Sequence, residues 1–271
     1  MKALLLAALL ASFGFAVHAA DTWIPPPFDP PLLVNTIRTG SGARHEIRCF
    51  TFAHFIVKEI DEGELGDAQI SVIPLGPAAH PTCQAADIPG ERRFARDAIA
   101  DYFLGTKGDF VFLSADDGVD RGMGFAVYRA ADNGLVFQEA AQLRDAAPLL
   151  RSIVPAADGL RLGYTRVMHG PCSVAIDGAA CQARIAKEAA IPPEPAPDCV
   201  GTYRKEKHER AVASCRRDEP KDAQCVTRQL ALWANDDESP SVIAFDVEVE
   251  LTGAGPTVRP MGAAASCWPA G

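Results

Sequence analysis

The chain has 271 residues, of which 48% are hydrophobic and 23% charged, so wholesale disorder is excluded and a sizeable core is affordable. Lys and Arg number 26 against 35 Asp and Glu, and the resulting net charge of −9 excludes a nucleic-acid binder that relies on positive surface potential. The length suits one large β-rich domain or two small ones.

The N-terminus reads as a secretory signal. Met1-Lys2 is a positive start, residues 3–17 form an apolar run, and Ala16, Ala19 and Ala20 supply small side chains for cleavage before Asp21. Residues 1–20 are therefore assigned to a removable leader. The run is shorter than the roughly 20 apolar residues of a membrane span, and no later segment is apolar for long enough to be one. The expectation is an exported chain, periplasmic or secreted, with no transmembrane segment after cleavage.

Residues 21–31 hold Pro25, Pro26, Pro27, Pro30 and Pro31, an extended lead-in because proline lacks a donor and disfavours helix before it. A single mainly β domain is predicted over 32–271, with a candidate sub-boundary at 191–198. Residues 47–60 are apolar, aromatic and β-branched, and read as one strand buried on both sides. A turn at 63–66 and a second strand over 69–75 follow. Strands are predicted at 110–113, 125–130 and 135–140, joined by a polar loop over 116–124 and a tight turn at Asp132-Asn133-Gly134. That is an antiparallel β-meander, as in sandwiches or single propeller blades, with no second copy at fixed spacing.

Further along, 160–168 reads as a strand, 181–190 as a short helix, and the proline-rich 191–197 as a linker or surface crossing. Residues 204–214 read as a charged helix, and 225–234 as a strand in hairpin with the next element. Over 241–251, Ile243, Phe245, Val247, Val249 and Leu251 alternate with Ala244, Asp246, Glu248 and Glu250, a half-exposed strand with an acidic face in water. The fold class expected is antiparallel β sheets with two or three short helices.

All eight cysteines follow the leader, and an even count in an exported chain reads as disulfides. Short loops favour Cys172–Cys181 and Cys215–Cys225, after which Cys49–Cys83 would brace the N-terminal half and Cys199–Cys267 the C-terminus. Zinc is disfavoured because no two cysteines lie only two to four residues apart.

Candidate chemistry is sparse. Asp116, Asp117 and Asp120 cluster among glycines and are the candidate metal ligands, for calcium. The spacing departs from the EF-hand: Gly118 holds the third position, Arg121 the glycine position, and Val127 the closing glutamate position. The reading is therefore an ordinary polar turn with no metal. Asp246, Glu248 and Glu250 form a ladder spaced by roughly 7 Å that keeps a strand soluble. Residues 203–221 carry the basic concentration, Arg204, Lys205, Lys207, Arg210, Arg216, Arg217 and Lys221, suited to an anionic envelope polymer or to a solvated helix. No nucleophile elbow, zinc-protease pair, phosphate loop or dinucleotide fingerprint occurs, so no catalytic residue and no cofactor are assigned.

The strings around Tyr102–Phe112, Ala115–Gly118 and Gly124–Tyr128, with Cys49, Val57–Asp61 and Pro240–Ile243, resemble a group of uncharacterised exported bacterial proteins. The resemblance implies export and a bacterial source, and carries no functional residue. The function expected is a non-enzymatic β domain with a binding or structural role in the cell envelope, with an envelope or protein partner. The alternative is an envelope hydrolase using carboxylates or His169 assembled by the fold.

Overall fold

The computed structural model describes residues 25–38, 46–61, 63, 68–76, 81–94, 102–119, 122–143, 148–191, 197–233 and 239–269. The leader assigned to 1–20 lies outside them, as do Asp120, Arg121 and residues 192–196 of the candidate sub-boundary. The fold is mainly β, with antiparallel sheets, three helices among the described residues, and four disulfides.

The first sheet runs in chain order: β1 (Leu33–Arg38), β2 (Glu46–Thr51), β3 (Phe55–Asp61), β4 (Gln69–Pro74) and β5 (Arg92–Arg93). The second begins as a meander of β6 (Tyr102–Lys107), β7 (Phe110–Val119), β8 (Gly122–Arg129) and β9 (Gly134–Gln142). The short β10 (Ser152–Ala156) pairs beside β11 (Gly159–His169). Helices α1 (Val174–Ala189), α2 (Cys199–Asp218) and α3 (Cys225–Leu232) intervene before β12 (Ser241–Thr252) and β13 (Gly255–Pro269) complete this sheet. Strand β9 approaches β13 although β11 and β12 lie between them in pairing order, so the sheet is strongly bent.

Alternation along the strands sets the layers. Phe50, Phe55, Val57, Ile70 and Val72 of the first sheet pack on Val111, Leu113, Ala126 and Tyr128 of the second. The opposite side of the second sheet buries Phe112, Phe125, Val127, Leu162 and Tyr164 with Phe245 and Val249, and with Cys181, Ile185 and Tyr203 from the helices. Each such large side chain contributes about 1.5–3 kcal/mol relative to exposure. The outer face of the first sheet, Ile47, Cys49, Ile56 and Ile73, is covered by the 81–91 segment through Cys83 and Ile88.

Several expectations need correction. Residues 47–60 form a hairpin, β2–β3, in which the Phe52 amide donates to the Phe55 carbonyl at 2.9 Å. The turn residues Ala53 and His54 are exposed and carry no glycine, asparagine or proline to announce themselves. The hairpin resets the alternation, so Phe50 and Val57 share the inner face. Residues 116–119, expected in a loop, continue β7, which pairs with β8 at Gly118–Met123 beyond a bulge that follows Ser114. Residues 225–232 are helical: Cys225 is bridged to Cys215 of α2, and the Arg210 guanidinium sits 4.5 Å from the centre of the Trp233 ring. The two expected helices are longer than their sequence limits, and α1 includes a kink at Gly178, whose φ is +53°.

Strand β12 lies between β11 and β13, so its acidic residues are cross-strand partners rather than a bare ladder. Asp246 accepts from Arg151 and Thr165, both at 2.7 Å, while Glu248 and Glu250 stand 3.9 Å from Arg161 and Arg259. Ala244, placed on the water-facing side by alternation, is buried with Val167, Val242 and Trp268. The lead-in is docked rather than idle. The Phe28 ring meets the Phe112 ring edge-on at 5.3 Å, and a Cβ on Gly105 would fall 2.5 Å from Cγ of Phe28.

Candidate functional site

Helix α2 buries every fourth residue, Cys199, Tyr203, Lys207, Ala211 and Cys215. Four of the five suit a packed helix stripe; Lys207 is a cation in the same register, and it is only 8% exposed. The helix starts at Asp198, whose carboxylate accepts from the Gly201 amide at 2.8 Å, satisfying one of the open first-turn donors. A Cβ on Gly201 would overlap that carboxylate, so the close cap needs glycine. Arg216 and Arg217 fall in the last turn, where cations complement the helix dipole. Disulfides clamp both ends, Cys199 to Cys267 of β13 and Cys215 to Cys225 of α3.

Between the three helices lies a cavity of about 710 Å³. Its polar lining is Arg204, Lys205, Lys207 and His208, all from α2. Ala175, Val200 and Leu230 give it apolar wall, and Tyr203 closes it toward the core. Among the described residues the lining contains no carboxylate. Single-sign charge in a concavity focuses potential and suits the binding of an anion.

A second concavity of about 400 Å³ lies at the tip of the β2–β3 hairpin, with Asp29, His54, Thr106 and Asp109 in its lining. Asp29 is structurally committed there. It accepts from Lys107 Nζ at 2.7 Å and from the Gly108 amide at 2.8 Å, and its own amide donates to the Thr106 carbonyl at 2.8 Å. Burial pushes the Asp29 carboxyl up, but the Lys107 and Gly108 hydrogen bonds and the Lys107 charge outweigh it, and the group titrates below its ordinary range.

Two buried ion pairs flank β3. The Lys58 ammonium donates to Glu91 Oε2 at 2.7 Å and to the Ala86 carbonyl at 3.3 Å, and Glu91 also accepts from Ser71 Oγ and the Ile88 amide. This network locks the 81–91 segment over the sheet beside the Cys49–Cys83 bridge. On the inner face, Glu59 stands 3.2 Å from Arg48. Burial raises the Glu59 carboxyl, and neighbouring Asp61 adds to this, more than Arg48 and the Phe103 amide lower it. Burial also raises the Tyr164 phenol well above its ordinary range.

The residues singled out in sequence are not gathered into one place. Asp116 and Asp117 fall on β7, in the bulge, and Asp120 lies outside the described residues. Among the described residues no group of three His, Cys, Asp or Glu is placed to hold a metal. His169 ends β11 opposite Val242, is exposed, and lines neither concavity. The cysteines form the two short-loop pairs, Cys172–Cys181 and Cys215–Cys225, and the two pairs expected of the remainder, Cys49–Cys83 and Cys199–Cys267. The basic concentration divides, with Arg204, Lys205 and Lys207 lining the cavity while Arg210 packs on Trp233 and Arg217 pairs with Asp218. His208 was not singled out, although its i,i+4 relation to Arg204 puts both on one helix face.

No described helix is long and apolar enough to cross a membrane. No protein-family model matches the chain, and no curated protein sequence is significantly similar to it. The class defined by fold and site is a disulfide-braced, two-sheet β protein carrying a cationic cavity in a helical layer.

Proposed function

We propose that this chain is an exported domain of the bacterial cell envelope with a binding or structural role rather than a catalytic one. Export is supported by the leader pattern at 1–20, by the resemblance to exported bacterial proteins, and by four disulfides, which persist in oxidising compartments. The observation that carries the binding role is the helical cavity. Among the described residues its charged lining comes from one helix and is basic, beside apolar wall, which suits holding a ligand.

The test has two parts. Fractionation of producing cells, with mass measurement of the exported form, is expected to show a periplasmic or secreted chain beginning near Asp21. Incubation of that form with a panel of envelope fragments and small metabolites, followed by melting curves and by NMR of the mixture, is expected to show stabilisation without consumption. Turnover of any component would overturn the non-catalytic role in favour of a hydrolase.

A further inference from the structure

We infer that Asn133 is a deamidation site that the fold holds closed, and that its reaction unlatches β5 from the turn between β8 and β9. Asn133 is the only asparagine of the chain that precedes a glycine. That setting is the most reactive for the side chain, because glycine puts no Cβ in the way of its own amide nitrogen. The step is a cyclisation. The Gly134 nitrogen attacks Asn133 Cγ, the Cγ–Nδ2 bond breaks, and ammonia leaves with the proton from Gly134. Water then opens the succinimide at either carbonyl, giving aspartate or isoaspartate, with no oxidant or reductant involved.

Both reacting groups are engaged in the folded chain. The Gly134 amide donates to Asp132 Oδ1 at 3.0 Å, and Arg129 holds the other oxygen of that carboxylate at 2.9 Å. Loss of the amide proton there would set two negative charges side by side, so this bond opposes formation of the nucleophile. The Asn133 carboxamide donates through Nδ2 to the Arg92 carbonyl at 2.9 Å, and turning Cγ toward Gly134 breaks that bond. Arg92 in turn donates from its guanidinium to the Ala130 carbonyl at 2.8 Å, and the Phe94 ring lies 4.6 Å from that of Tyr128. These contacts clasp the edge of the first sheet to the meander. Reaction is therefore confined to molecules in which the clasp has opened. Its product does not close it again. A carboxylate has no proton for the Arg92 carbonyl, and isoaspartate adds a methylene to the backbone of a turn whose register β8 and β9 fix.

Incubation of the exported, disulfide-intact chain in mildly alkaline buffer, with and without denaturing urea, tests this, with aspartate and isoaspartate at position 133 counted by peptide mapping. The denatured chain is expected to convert at least about tenfold faster than the folded chain. Asp132→Ala frees the Gly134 amide and Arg92→Ala removes the bond to Ala130. Each is expected to raise the folded rate, relative to the denatured rate, at least about threefold, and by more than its urea midpoint accounts for. Folded conversion as fast as denatured conversion overturns the inference, as does a denatured chain that stays intact. A slower reaction in Asp132→Ala overturns it too, because the carboxylate would then be assisting the attack. So does an acceleration that only tracks the fall in midpoint. Asn133→Asp supplies one product and is expected to melt at least about 2 °C below the parent. Chain aged in the folded state and fractionated by charge gives the same comparison without refolding. A melting temperature equal to or above the parent's, as a new pair with the Arg92 guanidinium would produce, overturns the unlatching.

Discussion

The Tyr203 hydroxyl donates to Ser241 Oγ at 2.6 Å, and the Val174 amide donates to the same oxygen at 2.8 Å. Through this one buried serine, the first residue of β12 joins the start of α1 to the second turn of α2. Its backbone extends the junction: the Ser241 amide donates to Cys172, and its carbonyl accepts from Gly170. The cavity wall is thus tied to the sheet at Tyr203.

Ser241→Ala removes the acceptor that the Val174 amide and the Tyr203 hydroxyl share. An unsatisfied buried donor costs about 1–3 kcal/mol, so urea unfolding is expected to show a loss in or above that range. Tyr203→Phe removes only one donor and is expected to cost less. In the double variant the two effects should add to less than their sum, because both single variants break the same Tyr203–Ser241 hydrogen bond.

The buried carboxylates predict opposing pH trends. Burial alone would raise Glu91, but hydrogen bonds from Lys58, Ser71 and the Ile88 amide hold it below its ordinary value of 4.5. Its stabilisation is therefore present above that value and is lost as pH falls through the depressed folded value. Glu59 is raised, so its contribution is present below 4.5 and is lost as pH climbs through the raised folded value. Urea midpoints measured from pH 3 to 8 are expected to fall at the acid end, less so in Glu91→Gln. Lys58→Met strands the Glu91 carboxylate and is expected to cost about 3–5 kcal/mol at neutral pH.

The sheets were legible where pattern is local. The Asn133-Gly134 turn, with Asn133 at φ +56°, and the strands on either side of it follow from turn chemistry and alternation. Spacing favoured the two short-loop disulfides, Cys172–Cys181 and Cys215–Cys225, and the other two were expected only as the pairs left over. The β2–β3 hairpin was not legible because Ala53-His54 carries no turn signature, and α3 was not because Val226 and Thr227 favour a strand until the Cys215 bridge pins them to a helix. Strands β1, β6 and β13 were missed because their residues are polar, glycine-bearing or partly exposed, and their neighbours in the sheet hold them. Of the candidate site, the basic run was visible in sequence. That Lys207 belongs to a buried stripe was also written there, in the fourfold spacing from Cys199 to Cys215, but which side of a charged helix faces inward is set by the two disulfides.

The disulfides differ in loop length, and so in what their loss removes. Cys199–Cys267 spans 68 residues and Cys172–Cys181 spans 9. Chain-entropy reasoning gives about 4.4 and about 2.6 kcal/mol respectively. Paired Cys→Ala replacement of the longer bridge is expected to lower the urea midpoint more. Thiol counting on the denatured, unreduced parent is expected to find essentially none; six or more reactive thiols would contradict the pairing.

Calcium is expected to leave the fold indifferent. A bound ion would stabilise the folded state by RT ln(1 + [L]/Kd), about 2.7 kcal/mol at a hundredfold excess over Kd. For a domain of this size that is roughly 5–10 °C in melting temperature. Gly118 and Val119 are paired with Met123 and Gly122, so backbone that an ion would need to draw around itself is part of a β ladder. Asp116 and Asp117 stand in the bulge before it, with Arg121 close behind in sequence. Millimolar calcium is therefore expected to move the melting temperature by less than about 1 °C, and Asp120→Ala by a similarly small amount. A calcium-dependent rise of several degrees that disappears in Asp120→Ala would show that the β7–β8 turn holds an ion after all.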